Sequence, residues 1–275
     1  MVQRGQARAL IVFALLASAT ACVKPTPVQR AMSLVRQHRE EEAATVLRKQ
    51  IAEHPDDLDA RGMLVRVLAF EGDARGVETE AAEISKRAPP GDPRAWVELG
   101  HAKEIAHDFE GALAAYDQAA SAAPSSPEGP REGGTRAARW GEVEEAAPRL
   151  GEAIRRGAND AETWHTLGLV RVHLKDLDGA WKAYRAGLAS DPRSAECWLG
   201  LSTVAALRDD AKGALEAYDA ILALRPKFAA GELGRAWALG KLGRKDDARG
   251  ALDHAEEMGA SPTSVAKQRA MLDAK

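Results

Sequence analysis

A chain of 275 residues, 45% hydrophobic and 29% charged, has ample apolar material for a core, and its length alone allows one or two domains. The formal net charge of −3 and pI near 6.2 exclude the concentrated basic surface a nucleic-acid binder sets against phosphates, so no nucleic-acid partner is expected. Aromatic residues make up only 5% of the chain, and six of them are Trp, so the position of each Trp has to be understood before any is assigned to a ligand site.

At the start of the chain, Arg4 and Arg8 precede an apolar run from Ala9 to Ala17, small residues follow, and no acidic residue occurs before position 39. A positive start, a short apolar middle and a small-residue end make a signal peptide. The run is shorter than the roughly 20 apolar residues a membrane-spanning helix needs. The ending Ala19-Thr20-Ala21-Cys22 resembles a bacterial lipobox, with Ala19 where Leu is commoner. That resemblance implies removal of residues 1–21 and lipidation of Cys22, residues 22–23 forming the lipidated terminus. The alternative is an ordinary secretory signal cut near a cysteine. Cleavage would remove Arg4, Arg8 and no acid, taking the net charge from −3 to −5. Each buried methylene of a lipid contributes about 0.8 kcal/mol, so several acyl chains on one Cys anchor a protein firmly. Val23 rather than Asp follows Cys22, which by resemblance to proteobacterial lipoproteins implies the outer membrane, facing the periplasm. Cys197 is the only other cysteine; with Cys22 lipidated it has no disulfide partner and reads as a small buried hydrophobe.

Small residues then recur at Ala43, Val77, Ala112, Ala146, Ala180, Ala214 and Ala248, every interval being 34 except that of 35 between Val77 and Ala112. The extra residue falls in Pro89-Pro90-Gly91-Asp92-Pro93, a loop where an insertion disturbs no helix. Seven repeats result: 24–57, 58–92, 93–126, 127–160, 161–194, 195–228 and 229–262. In the fifth, Trp164, Leu167, Gly168, Ala180, Tyr184 and Pro192 stand at positions 4, 7, 8, 20, 24 and 32. Trp96 and Trp198 repeat position 4, and Tyr116, Leu150 and Tyr218 repeat position 24. Large residues fill the space between helices while small ones let backbones approach. Asp73, Asp108, Asp176 and Asp210 at position 16 are placed to cap a second helix, and Pro55, Pro124, Pro192 and Pro226 at position 32 to stop it.

This pattern resembles the tetratricopeptide repeat. The resemblance implies an all-α fold, a right-handed α-solenoid of about seven helix pairs over residues 24–262. Residues 263–275 are expected to form a C-terminal capping helix, with Met271 and Leu272 against the last repeat. The fourth repeat departs most: Pro130 and Gly133 replace the usual Trp and Leu, and Pro148 falls inside the second helix. A shortened first helix and a hinge between repeats one to three and five to seven are expected there, the alternative being a merely irregular repeat.

No phosphate loop, G-x-S-x-G, metal-spaced Cys pair or H-E-x-x-H occurs, so no catalytic residue, cofactor, metal or small-molecule substrate is expected. His165 and His173 lie eight apart on one helix, about 12 Å, too far to share a metal. In the family, positions 2, 5, 9, 12 and 13 of the first helices line the concave face. Carried over, these positions give Val97, His101, Arg131, Arg139, His165, Leu169 and His173, a mildly basic groove, followed by Leu199, Thr203, Leu207, Leu233 and Trp237, an apolar one. An extended or helical peptide suits such a face, its carboxylate meeting Arg. The alternative is a solvated inner surface, with Trp237 only packing beneath the cap. The Lys and Asn pattern of chaperone-binding carboxylate clamps is absent from these positions.

The expected function is a lipid-anchored scaffold that binds partner proteins. It resembles bacterial tetratricopeptide lipoproteins that assist secretin and type IV pilus assembly, outer-membrane protein insertion or cell-wall enzyme recruitment. An enzyme subunit with catalytic residues hidden in the array is the less favoured reading, since an open solenoid rarely closes a pocket around perturbed ionisable groups.

Overall fold

The structure, a computed structural model, describes residues 25–274; the signal segment 1–21 and Cys22 lie outside the described residues. The described residues form fifteen α-helices and no strand. Fourteen follow one another as pairs: α1 (Pro27–Val35) with α2 (Glu40–Glu53), α3 (Leu58–Glu71) with α4 (Ala74–Arg87), α5 (Arg94–Ile105) with α6 (Phe109–Ala122), and α7 (Glu128–Trp140) with α8 (Val143–Arg155). Then come α9 (Ala161–His173) with α10 (Leu177–Ser190), α11 (Ala195–Leu207) with α12 (Ala211–Leu224), α13 (Ala229–Lys241) with α14 (Lys245–Glu257), and the unpaired α15 (Pro262–Asp273). None is long and apolar enough to cross a membrane.

Contacts run only between neighbours, as in an array that cannot bury its faces within one unit. First helices touch in succession from α1 through α3, α5, α7 and α9 to α11, and α13 touches α15. Among the described residues, no two second helices bring their backbones together, although Arg149 of α8 reaches Asp117 of α6 through its side chain at 2.7 Å. The first helices therefore line the side on which the elements converge, and the second helices form the outer side.

The turn inside each pair is the same. His38, His107, Lys175 and Asp209 are left-handed with φ of 55–62°, and Gly72, Gly141 and Gly243 hold the same place at 75–86°. The next N–H returns to the carbonyl five residues back, as from Asp176 to Arg171 at 2.8 Å, so orphan carbonyls at the helix end are satisfied. A left-handed non-glycine costs about 1–2 kcal/mol, against about 0.5–1 kcal/mol for the extra unfolded-state freedom of glycine. Lys175→Gly at this exposed turn should therefore raise stability by about 0.5–1 kcal/mol, seen as a higher urea midpoint with an unchanged slope. The following residue starts the second helix. Asp73, Asp108, Asp176 and Asp210 accept from the N–H of Gly76, Gly111, Gly179 and Gly213 at 2.8–3.0 Å, as position 16 predicts. In the first and last pairs Arg39 and Arg244 stand there and pair with Glu42 at 2.6 Å and Asp247 at 2.7 Å.

Between helices, Ala43, Ala112, Ala146, Ala180, Ala214 and Ala248 are fully buried, and Leu47, Tyr116, Leu150, Tyr184 and Leu252 fill the adjoining space. Cys197 is free and fully buried, and burial pushes its thiol up.

The fourth pair corrects the expectation made for it. α7 has 13 residues, as many as α9, α11 and α13. Pro130 falls in its first turn, where a backbone N–H has no intrahelical partner to lose. Pro148 removes one bond from α8 on an exposed face, where water solvates the freed carbonyl, and the helix continues for 13 residues. The glycines are places of close approach: a Cβ on Gly129 would come within 2.5 Å of the Ala120 N, and one on Gly134 within 2.9 Å of the Leu150 N. Arg156 then ties the end of α8 to the carbonyls of Ala120, Ala123 and Ser126 at 2.8–3.3 Å. The feature expected to be a hinge is thus packed on both sides.

At the far end, α15 buries Val265 and Leu272, while Met271 is 52% exposed, so the cap contact expected from Met271 is made by Val265 instead.

Candidate binding face

Residues four apart fall on one face of a helix, so positions 5, 9 and 13 give each first helix a three-residue row on the inner side. The rows are Val28-Met32-Arg36, Gly62-Arg66-Phe70, Val97-His101-Ile105, Arg131-Thr135-Arg139, His165-Leu169-His173, Leu199-Thr203-Leu207 and Leu233-Trp237-Lys241. Charge and burial divide them into two halves.

In the first half, α3, α5 and α7 are joined by an ion-pair ladder. The Glu98 carboxylate accepts two hydrogen bonds from Arg66 at 2.6 and 2.8 Å, and lies over Gly62, where a Cβ would come within 3.0 Å of it. One turn on, His101 Nδ1 is 3.4 Å from Glu98 and its Nε2 is 3.4 Å from Glu132 of α7. Glu132 is also 3.4 Å from Arg136, whose Nε is 2.9 Å from Glu104 of α5. The His101 ring stands edge-on to Tyr116 of α6, centroids 5.8 Å apart.

These contacts set the protonation states. Burial pushes the Glu98 carboxyl up, but its bonds from His101 and Arg66 and their charges outweigh that and hold it at about 2. Burial likewise works against the His101 cation, yet Glu132 and Glu98 raise it above the ordinary histidine value. Glu132 is lowered chiefly by the bond from His101.

The mildly basic groove expected here is corrected by this geometry. Val97 is 3% exposed, packed with Ala112, Tyr116 and Ala119, and offers no surface to a partner. His101 is 8% exposed and neutralised by two carboxylates. Arg131 is half-buried, 3.8 Å from Glu132. Arg139, by contrast, is exposed and has no ion pair among the described residues, so it keeps an open positive charge on this face. Arg66, Glu98, Glu104, Glu132 and Arg136 were missed from sequence. The available signal was that Glu98 and Glu132 stand 34 apart at the same repeat position, one of them three residues before a histidine.

The second half is apolar and open. Leu169 and Leu199 are each 42% exposed and Leu207 is 59% exposed, with Thr203 and His173 exposed beside them. His165 is half-buried against Tyr184, centroids 5.9 Å apart, and burial pushes its imidazole down, favouring the neutral ring. Leu233 and Trp237 are half-buried. Trp237 packs on Ala205, Ala214 and Ala238, and Lys241 lies over its ring at 5.8 Å, so part of its role is structural. Among the described residues, no group of three His, Cys, Asp or Glu is arranged to hold a metal ion. Glu98, His101 and Glu132 do converge, but each is engaged in the ladder. The face can therefore receive apolar side chains along α9 and α11 while the ladder stiffens the half that precedes them.

Residues 132–193 and 167–229 match the family model of the tetratricopeptide repeat. No curated protein sequence matches the chain. Solved structures similar to it include MamA, 23% identical with a TM-score of 0.55, covering 58% of this chain and 94% of that one. YrrB, described as a TPR protein with an unusual peptide-binding site, is 18% identical with a TM-score of 0.59, covering 68% and 95%. The C-terminal part of a TPR repeat-containing protein from Cytophaga hutchinsonii is 14% identical with a TM-score of 0.64, covering 88% and 98%. At these identities the likeness establishes the fold, an all-α solenoid of tetratricopeptide type.

Proposed function

We propose that the chain is a non-catalytic scaffold that holds partner proteins or peptides on its inner face, anchored by lipid on Cys22 to the outer membrane and facing the periplasm. Its place is then in cell-envelope assembly, of the kind that serves secretins, type IV pili or outer-membrane protein insertion. One observation carries the binding part: Leu169, Leu199 and Leu207 stand exposed on adjoining inner helices, an apolar strip that follows the ion-paired half of the face. The anchor rests on the pattern from Arg4 to Cys22. The enzyme reading loses ground because Glu98, His101 and Glu132, a convergent His and acid group on this face, are committed to structural pairs. Recruitment of cell-wall enzymes would use the same strip and is told apart by the partner's identity.

The test is a photocrosslinking residue placed at Leu199 in the full chain within intact cells, compared with one at exposed Lys182 on α10. A discrete adduct is expected from 199 and not from 182, and Leu169→Asp with Leu207→Asp should remove it. Adducts from 182 alone would move the site off the inner face. Cys22→Ser should shift the protein to the soluble fraction; continued firm membrane attachment would sink the anchor.

A further inference from the structure

On the outer side, where second helices stand apart, a furrow of about 760 Å³ runs between α6 and α8. Its floor is aromatic: Phe109, at the start of α6, and Trp140, at the end of α7, lie with ring centroids 4.6 Å apart at 40°, and Phe109 is 43% exposed. Trp140 is not accounted for by the repeat. It stands at position 14, where the other repeats place Gln37, Glu71, Ala106, Leu174, Arg208 and Leu242, while the tryptophan position of its own repeat holds Pro130.

The walls are acidic. Glu110 and Asp117 come from α6, Glu145 from the first turn of α8 and Glu142 from the position just before it, and Arg149 is the one cation lining the furrow among the described residues. Arg149 is already used, gripping Asp117 at 2.7 Å and Glu145 at 2.6 Å. Glu110 and Glu142 have no such cation among the described residues, so the open aromatic floor shares the furrow with two carboxylates that make no ion pair.

We propose that this furrow docks a cationic segment of a partner protein, an Arg or Lys side chain lying across Phe109 and Trp140 with its charge between Glu110 and Glu142. A cation over an aromatic face is drawn by the ring quadrupole, and flanking carboxylates steer it there and orient it. Arg149 shows that the same walls accept a guanidinium. Anionic surfaces and acidic segments are repelled. A second copy of this acidic chain fits poorly, since it would have to bring a basic patch to an acidic furrow. The site is separate from the inner face and does not depend on the function proposed for that face.

The probe is an N-acetylated, C-amidated Gly-Arg-Gly-Arg-Gly peptide titrated into the mature chain, read at the Trp140 indole N–H by NMR, with Trp140→Phe to assign the signal. A saturable shift is expected, and none from the same peptide with Gln for Arg. The double variant Glu110→Gln and Glu142→Gln, both exposed positions, should keep the remaining spectrum and bind at least tenfold more weakly. An equal response to the Gln peptide, no response to the Arg peptide, or undiminished binding by the double variant would overturn the proposal. A Trp140 shift that grows with protein concentration alone, with a dimer mass in sedimentation, would assign the furrow to a second copy and overturn it as well.

Discussion

Tyr184→Ala should lower stability by about 3–5 kcal/mol and split the unfolding of the array into two steps. Tyr184 is 1% exposed and packs with Ala180, Cys197, Leu201, Val204 and Ala217. Its ring lies against two bare backbones at once: a Cβ on Gly168 in its own pair, or on Gly200 in the next, would come within 2.5 or 2.3 Å of it. One side chain thus closes the fifth pair and joins it to the sixth. The cavity left by alanine is bordered by glycine on both sides, so no side chain at either glycine can lean in to fill it.

A globular core would spread that loss over the whole molecule. In a solenoid, stability is close to a sum of unit and nearest-neighbour terms, so a loss at one joint uncouples the pairs before it from the pairs after it. Urea unfolding should show the split as a plateau in circular dichroism, with fluorescence transitions no longer coincident. Tyr184→Phe keeps the volume and should change stability by less than about 1.5 kcal/mol. A single transition in Tyr184→Ala, shifted by less than about 1 kcal/mol, would show that the ring does not couple the pairs.

Residues of this kind were legible from sequence because the repeat states them many times. Ala180, Tyr184 and Asp176 each have counterparts one repeat away, and caps and core positions follow from local spacing. The turn conformation was hidden: left-handed backbone at His107, Lys175 and Asp209 is forced by the pairing of helices, and those residue types do not announce it as glycine does. Pro130 and Gly133 misled, because residues that weaken a helix interior are tolerated in a first turn, as Pro130 is, or suited to a close contact, as at Gly133, where a Cβ would come within 3.1 Å of the Tyr116 Cβ. On the inner face, repeat position identified which residues point inward but not which remain open. Val97 and Leu199 share position 5; one is covered by the packing of α5 on α6, the other is bare. The ladder joins residues of three repeats, and its existence depends on side-chain reach across helices that a position number does not contain.

That ladder gives the other large effect. Glu98 is held at about 2 in the folded chain, below its ordinary value of 4.5, so its contribution is complete above about pH 4.5 and is lost as pH falls through about 2. A displacement of that size is worth on the order of 3 kcal/mol. His101 has the opposite sense: raised above 6.5, it contributes fully below that value and loses its contribution as pH rises through the folded value. The alkaline loss should be the smaller. A neutral His101 ring can still donate from Nδ1 to Glu98 and accept at Nε2 from Arg136, 3.4 Å away, while Arg66 and Tyr116 complete its surroundings.

Glu98→Gln isolates the effect from the other carboxylates. Breaking a buried pair costs about 3–5 kcal/mol when the abandoned charge stays buried. Arg66 is 39% exposed and can turn to water, so a loss of about 2–3 kcal/mol at pH 6 is expected. The gap between parent and variant should close as pH falls toward 2, because the parent then protonates the same group. In the variant, the His101 titration followed by NMR should move down, since Glu132 alone would support the cation. Urea stabilities of parent and variant that run parallel from pH 2 to 7, or a His101 titration that stays in place, would mean that Glu98 does not hold α3, α5 and α7 together by charge.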